Sequence, residues 1–289
     1  MGREQQGFEI MPGEDFQFAC PTNAHNIEIA YTLYRRHFAH LPFDGVFLDK
    51  IRHASFAGGL ENGLGCFCES CRDVYARQGV DADEIVQLIR NNPAAFLPAD
   101  MRKCIYRFEN EAVDRFYQAK ANIITSAVAA LTDRFLEHRL PVALDVFAPL
   151  LAYLVGQDLL ALSVRAAFIK PMIYCITHAP AGLPFELKWL RDCFAPHDIL
   201  ARMGGDIDTL CSKESVKAQL RELKPDTLRP GFEINIVPDI CESSPGYVAS
   251  FAALLAESGF ANAVLSWNLL GASGDNLKAL SGCFYSTPT

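Results

Sequence analysis

The sequence lacks a long hydrophobic segment. Its longest apolar stretch, at 146–155, has only ten residues and contains Pro149, whereas a helix needs about 20 apolar residues to cross a bilayer. The first six residues lead into no apolar core of the kind that secretory signal peptides have. We therefore expect a cytoplasmic protein that has no membrane partner.

The sequence also lacks an excess of basic charge. Its 34 acidic residues outnumber its 26 lysines and arginines, which gives a net charge of −8, and we expect no nucleic-acid partner. Ten cysteines in 289 residues are too sparse for a disulfide scaffold. A Walker motif is absent, and Gly63 and Gly65 follow no predicted strand, so we expect no organic cofactor.

The most informative segment that is present is FDGVFLDKIR, at 43–52. Its continuous apolar run predicts a buried parallel strand that ends at Asp49. In an α/β barrel, residues at the carboxyl ends of the strands line the mouth of the active site. Asp49 is therefore a candidate for chemistry. A helix cap, or a salt bridge to Lys50 or Arg52, would explain the same aspartate without chemistry.

Predicted strands alternate with amphipathic helices along the chain. The strands lie at 16–20, 45–49, 142–147, 168–174, 231–236 and 263–268, and the helices at 27–40, 110–136, 213–223 and 247–258. This alternation is typical of right-handed βαβ units around a parallel sheet. We therefore expect an α/β fold, a (β/α)8 TIM-type barrel that forms a single domain over 1–289.

Two features depart from a regular barrel. Only six of the eight strands are evident, so either the first βα units are absent from this chain or further strands escape the pattern. The segment at about 53–104 interrupts the alternation and contains a group of cysteines. We expect this segment to be a long insertion on the catalytic face.

Strand-end carboxylates suit glycoside hydrolysis. Besides Asp49, the predicted strands carry Asp145 and Glu233. Hydrolysis of a glycosidic bond needs one carboxyl group that is held protonated as the acid and a second that stays ionised as nucleophile or base. These three residues are the candidate catalytic set. The alternation of side chains leaves open whether Asp145 and Glu233 point into the cleft or into the barrel wall.

Other strand ends carry side chains that could bind a sugar. Tyr174 and Trp267 offer flat faces to a sugar ring, although each taken alone is as easily a core residue. Asn268 offers a donor and an acceptor to hydroxyl groups. With Arg52, these residues form the predicted substrate-binding set.

Three closely spaced cysteines predict a metal site. They are Cys66, Cys68 and Cys71. Three thiolates within six residues can reach one tetrahedral Zn²⁺, and a closed structural site needs a fourth ligand. We expect Cys20 in that place, because it ends the strand that should neighbour the strand of Asp49. Cys104 and His53 are alternatives, and unliganded buried thiols would explain the same residues without a metal.

These motifs resemble those of glycoside-hydrolase-like TIM barrels. The resemblance lies in FDGVFLDKIR with CFCESC (66–71), and then in ALDVFAP (143–149), GQD (156–158) and KPMIY (170–174), in that order along 16–270. It implies a (β/α)8 barrel that acts on a carbohydrate. Two strands of that barrel would precede residue 16, and the insertion would follow the fourth strand.

The resemblance also implies roles for the carboxylates. Asp49 matches the strand-4 carboxylate and Glu233 the strand-7 carboxylate of the retaining clan of such barrels. That clan normally has glutamate at strand 4 as the acid–base residue. In amylase-like barrels a strand-4 aspartate is the nucleophile, which would move the acid to Asp145 or Glu233. Family-42 β-galactosidases hold zinc in a similar cysteine arrangement, which supports Cys20 as a ligand.

The sequence thus favours a glycoside hydrolase and leaves two alternatives. One is a non-catalytic carbohydrate-binding or assembly module with a degenerate barrel, which the missing strands and the aspartate at strand 4 both favour. The other is a metal-dependent hydrolase that uses the cysteines. The sequence does not specify the sugar, the stereochemical course or the oligomeric state.

Overall fold

A parallel sheet of five strands is the centre of the computed structural model, which describes residues 18–223, 225–234, 243–266 and 269–284. The strands are β1 (Val46–Leu48), β2 (Pro98–Arg102), β3 (Ile105–Phe108), β4 (Val142–Phe147), β5 (Phe168–Met172), β6 (Gly231–Glu233) and β7 (Val264–Ser266). The parallel sheet has the order β1-β4-β5-β6-β7, while β2 and β3 form a separate antiparallel pair.

The parallel strands form a curled half-barrel rather than a complete barrel of eight within the described residues. Five of the six predicted strands are present, each close to its expected position. The remaining prediction, at 16–20, falls partly outside the described residues. Of its described part, only Ala19 has a strand-like bridge.

Helices of very different length follow the strands. They are α1 (Ala24–His37), α2 (Leu60–Leu64), α3 (Glu69–Arg77), α4 (Ala82–Asn91), α5 (Glu111–Leu136), α6 (Pro149–Ala152), α7 (Leu159–Ser163), α8 (Leu183–Phe194), α9 (Ile199–Met203), α10 (Ile207–Leu210), α11 (Lys213–Arg221), α12 (Pro245–Glu257) and α13 (Gly274–Phe284). Short 3₁₀ turns lie at Phe56–Gly58, Pro93–Phe96, Tyr153–Val155, Pro225–Thr227 and Leu269–Gly271. None of the described helices is both long and apolar enough to cross a membrane.

The long helix α5 completes the crossover from β1 to β4. It begins after Asn110, whose side-chain oxygen accepts hydrogen bonds from the backbone N–H groups of Ala112 and Val113. One side of the helix is buried along its whole length, from Val113 to Phe135. This apolar side, and not helix propensity alone, holds α5 in place.

The two faces of the sheet differ because side chains alternate along each strand. On one face, Leu144 is buried and Phe232 stacks on Phe251 of α12, with ring centres 5.3 Å apart. This face is the one that the helices cover. The opposite face, called the inner face below, carries polar residues in register: Asp145 beside Lys170, and Glu233 beside Ser266.

The insertion after β1 is longer than the sequence predicts. It contains α2, α3 and α4, and it ends with the β2–β3 hairpin, which extends to Phe108 and not to 104. The hairpin turns at Lys103 and Cys104, which have φ angles of 51° and 62°. Two consecutive positive φ angles are typical of a type I′ turn, for which Asn-Gly is the usual signal. Lys-Cys carries no such signal, and the hairpin was therefore not predicted.

Candidate active site and metal centre

A buried polar network crosses the inner face at the carboxyl end of the sheet. Lys170 Nζ donates hydrogen bonds to Asp145 Oδ2 and to Tyr174 Oη, both at 2.7 Å. Tyr174 Oη lies 2.8 Å from Ser266 Oγ. The network arises because the strand register places Lys170 directly opposite Asp145. It links β4 and β5 to β7, past the intervening β6, through side chains alone.

Asp145 is the member of this network with the most perturbed acidity. Burial raises the pKa of its carboxyl group to about 6, although Lys170 acts to lower it. The negative charge of Asp49 raises it further. Oδ1 has no hydrogen-bond partner among the described residues. Burial alone would lower the pKa of Lys170, but Tyr174 and Asp145 raise it, so the ammonium form is the stable one.

Asp49 lies beside Asp145 at the end of the neighbouring strand. Leu48 pairs with Leu144 in the parallel register, so the next residue on each strand is an aspartate. Asp49 is exposed, and its Oδ1 accepts a hydrogen bond from the backbone N–H of Lys50 at 2.6 Å. Lys50 has a φ angle of 57°, which turns the chain out of the strand at this point. The two carboxyl groups thus share one end of the sheet.

Arg52 is buried and not directed into open solvent. Its guanidinium carbon lies 4.7 Å from the ring centre of Phe18 and 4.1 Å from that of Phe147. Nη1 donates a hydrogen bond of 2.8 Å to the backbone oxygen of His53. The arginine is therefore a packing element between aromatic rings, although the sequence predicts a sugar contact.

Glu233 is fully buried behind the network. Its Oε1 accepts hydrogen bonds from the N–H groups of Ile176 and Thr177 and from the Thr177 hydroxyl, at 3.0–3.2 Å. Its Oε2 accepts one of 2.6 Å from the hydroxyl of Tyr247. Burial raises the pKa of Glu233, and the hydrogen bonds from the Tyr247 hydroxyl, the Ile176 N–H and the Thr177 hydroxyl act against that shift. These hydrogen bonds hold the carboxyl group on the inner face but out of reach of solvent.

The remaining predicted sugar contacts are placed as follows. Tyr174 is buried, and only its hydroxyl takes part in the polar network. Trp267 and Asn268 lie outside the described residues. The sequence reasoning missed Lys170 and Ser266. A lysine inside an otherwise apolar strand was the signal for the first, because a buried ammonium group needs an anionic partner.

The four predicted cysteine ligands come together. The Sγ atoms of Cys20, Cys66, Cys68 and Cys71 all lie within 4.8 Å of one another, and all four residues are buried. Cys20 Sγ is 3.5 Å from Cys68 Sγ and 3.6 Å from Cys71 Sγ. A tetrahedral site with metal–sulfur bonds of about 2.3 Å has sulfurs about 3.8 Å apart. These residues could therefore hold one metal ion.

The alternatives for the fourth ligand do not join this group. Cys104 points elsewhere, toward the backbone oxygen of Gln219 at 3.8 Å, and His53 is not among the four clustered residues. Thr22 supports the cluster, because its hydroxyl lies 3.2 Å from Cys20 Sγ and 3.3 Å from Cys71 Sγ. A set of four thiolates leaves no open coordination position, which is typical of structural and not of catalytic sites.

Comparison with known proteins places this geometry in context. No protein-family model matches the chain, and no curated protein matches it. Among solved structures it is similar to the PgaB (BpsB) glycoside hydrolase domain from Bordetella bronchiseptica, with a TM-score of 0.62 and 11% sequence identity over 98% of this chain and 70% of that one. The chain has the fold of a glycoside hydrolase domain. The motif-level resemblance stays a prediction.

A second solved structure is more distant. It is a chitinase from Chromobacterium violaceum ATCC 12472, with a TM-score of 0.38 and 12% identity over 90% of this chain and 96% of the chitinase. At this TM-score the match carries no argument. The assignment of fold therefore rests on the PgaB domain, and the assignment of chemistry rests on the residues of this chain.

Proposed function

We propose that the protein is a glycoside hydrolase in which Asp49 and Asp145 are the reacting carboxyl groups. The observation that carries the proposal is their position on adjacent parallel strands, where the charge of one raises the pKa of the other. The likeness to a glycoside hydrolase domain supports the proposal at the level of the fold. The substrate in this proposal is a carbohydrate.

The surroundings of Asp145 suit the role of the general acid, which protonates the leaving oxygen. A pKa of about 6 keeps part of this carboxyl group protonated near neutral pH, where it can donate to the leaving oxygen. Once the proton has left, Lys170 stabilises the carboxylate through its hydrogen bond to Oδ2. Asp49, which solvent reaches, then serves as nucleophile or base.

Strand spacing favours the nucleophile role for Asp49. Neighbouring strands lie about 4.8 Å apart. Retaining enzymes hold their two carboxyl groups about 5–5.5 Å apart, whereas inverting enzymes leave about 6.5–9.5 Å for a water molecule. In the retaining course, Asp49 attacks the anomeric carbon while Asp145 protonates the departing oxygen. Asp145 then takes a proton from the water that cleaves the glycosyl–Asp49 bond.

Other predicted residues receive supporting roles in this proposal. Glu233 is too deeply buried to touch a substrate in this proposal. Its hydrogen bonds instead hold the loop at 176–177 and the side chain of Tyr247 in place. Arg52 packs the segment after Asp49 against Phe18 and Phe147. The sugar contacts assigned to Trp267 and Asn268 stay predictions.

A second candidate is a carbohydrate-binding module without catalysis. The observation that favours it is the ion pair between Asp145 and Lys170, whose side chains are only 10% and 6% exposed. A carboxylate held by an ammonium group is less free to act as an acid. In this alternative, the same inner face binds a sugar and leaves its bonds intact.

Two aspartate variants separate these candidates. We expect Asp49→Asn and Asp145→Asn each to lower kcat/KM on a panel of aryl glycosides by 100-fold or more, because each removes one reacting carboxyl group. Asp44→Asn is the matched control, since Asp44 is exposed at the opposite end of the same strand. Hydrolysis that is equal in all three variants would rule out the carboxyl pair. Calorimetric sugar binding without any hydrolysis would favour the binding module.

We also propose that the four clustered cysteines bind one structural Zn²⁺. The support is the closed, buried set of four sulfurs at near-tetrahedral separations. Because each thiol must lose its proton to ligate the ion, the bound metal would neutralise negative charge inside the protein. The ion would join the segment before α1 to the start of α3 and would take no part in the reaction.

A further inference from the structure

The ends of β1 and β4 are joined by one buried side chain, that of Gln157. Its Oε1 accepts a hydrogen bond of 2.9 Å from the backbone N–H of Phe147. Its Nε2 donates one of 3.2 Å to the backbone oxygen of Ile51. Phe147 is two residues beyond Asp145, and Ile51 is two residues beyond Asp49. The amide therefore spans the two chain segments that carry the candidate carboxyl groups.

The conformation of the neighbouring residues fixes this side chain. Gly156 has a φ angle of 85°, and a Cβ atom there would lie 3.0 Å from the backbone oxygen of Lys120. Asp158 accepts hydrogen bonds from the first N–H groups of α7. Gln157 is only 1% exposed, so water cannot replace its two hydrogen bonds at little cost. Each residue of the GQD segment thus has a defined structural task.

We propose that Gln157 is a positioning residue that fixes the separation of Asp49 and Asp145. The inference rests on the proposed function, in which these two carboxyl groups react together. Beyond the strand ends, the backbone pairing of β1 with β4 stops at Leu48 and Leu144. The Gln157 amide continues that connection where the reacting groups lie. A displacement of about 1 Å between catalytic groups can lower a rate by about 100-fold.

The pKa of Asp145 gives a second way to detect a change in the separation of Asp49 and Asp145. Lys170 on β5, Asp49 after β1 and Tyr174 after β5 are the charged and titratable groups that face it. Asp49 raises the pKa of Asp145 only while the two stay close. Loosening the connection therefore lowers this pKa, whether or not the protein is active.

The test compares two buried glutamines. Gln157→Met removes both hydrogen bonds with little change in volume. Gln219→Met is the matched control, because Gln219 is also buried and its Oε1 accepts a hydrogen bond from Leu150 N–H, but it links α6 to α11. The measurements are kcat and KM on the best glycoside of the panel, and the titration of Asp145 by carboxyl ¹³C NMR.

We expect Gln157→Met to lower kcat by 10- to 100-fold with KM within about threefold, and to lower the pKa of Asp145. Gln219→Met should keep kcat and KM within twofold of the parent values and leave the pKa of Asp145 unchanged. Equal kcat values and equal Asp145 titrations in the two variants would overturn the positioning role. If the parent hydrolyses nothing, the proposed function fails, and the Asp145 titration alone decides the positioning role.

A further variant keeps the positioning role testable if Gln157→Met does not fold. Gln157→Glu has the same shape and can still accept the hydrogen bond from Phe147 N–H, but its carboxylate cannot donate to Ile51. We expect amide exchange at Phe147 to stay slow in this variant while exchange around Ile51 becomes faster. Unchanged exchange at both positions would contradict a connection through Gln157.

Discussion

At Asp145, burial makes the carboxyl group hold its proton more tightly, and one neighbouring ammonium group limits this effect. Burial and Asp49 raise its pKa, and Lys170 opposes them, with about 6 as the result. Since the acid of a glycoside hydrolase must be protonated before it reacts, activity should fall as pH rises through this value. The pKa of Asp145 therefore sets the alkaline limit of the reaction, and Lys170 keeps that limit from lying at a higher pH.

Replacing Lys170 should move that limit. In Lys170→Met the opposing positive charge is gone, so the pKa of Asp145 rises above about 6. The alkaline limb of the kcat/KM profile should shift to higher pH, while the maximum of kcat falls because the carboxylate product loses its partner. Lys217→Met, which removes a lysine paired with Glu257 elsewhere, is the control. A limb that stays in place or moves to lower pH would contradict this role of Lys170.

Individual residues show which features of the candidate site could be predicted from the sequence and which could not. The strand-end position of Asp49 and the grouping of Cys66, Cys68 and Cys71 were predictable because both are local features. Cys20 is distant in sequence and was inferred from which strands should be neighbours. The direction of Asp145 was not, because a shift of one residue in the strand turns every side chain to the other face. Glu233 has the right residue type, but its burial by Thr177 and Tyr247 depends on chain segments distant in sequence.

At the scale of elements, the cysteine cluster connects the segment before α1 to the start of α3. Cys20 precedes α1, and Cys68 and Cys71 lie at the start of α3. The described residues before α1 form no helix or extended strand of their own. A metal ion would add a further connection to this short segment, beside the bridge at Ala19 and the turn closed by Asn23 N–H and Cys20 O.

Removal of the proposed metal ion should therefore lower the free energy of unfolding, and it should reduce activity only through this loss of stability. We expect about one zinc per chain by elemental analysis, and its loss in Cys71→Ser together with a large fall in the free energy of unfolding. Cys193→Ser is the matched control, since Cys193 is not in the cluster and its Sγ lies 3.4 Å from the backbone oxygen of Phe56. Metal content and stability that are equal in the two variants would exclude the site.

The same scale explains the missed hairpin. The strands β4 and β5 were predictable as apolar runs, because they are buried within a parallel sheet. The strand β1 was predictable by the same pattern, but the prediction that it is buried was wrong, because it lies at the edge of the described sheet with Phe47 exposed. The hairpin strands β2 and β3 are short, partly exposed and joined by Lys103 and Cys104, which form a turn by tertiary constraint and not by local preference. The local sequence pattern therefore does not predict a hairpin in this segment.

At the scale of the molecule, the described strands cover one side of a barrel. Phe47 and Phe168 stack on the inner face with ring centres 6.1 Å apart, one layer below the aspartates. In a closed barrel, side chains from other strands would pack against such a layer. Here Phe47 is 47% exposed. The alternation of strands and helices predicted a parallel sheet, but it could not predict how far the sheet closes, because closure depends on strand number.

The stereochemistry of hydrolysis tests the central claim most directly, because it reports the spacing of the two carboxyl groups. Proton NMR of the first product, recorded before mutarotation, shows whether the anomeric configuration has changed. Aspartates on adjacent strands predict retention, with Asp49 as the nucleophile. Inversion would contradict the nucleophile role of Asp49, because the inverting course needs a water molecule between carboxyl groups about 6.5–9.5 Å apart.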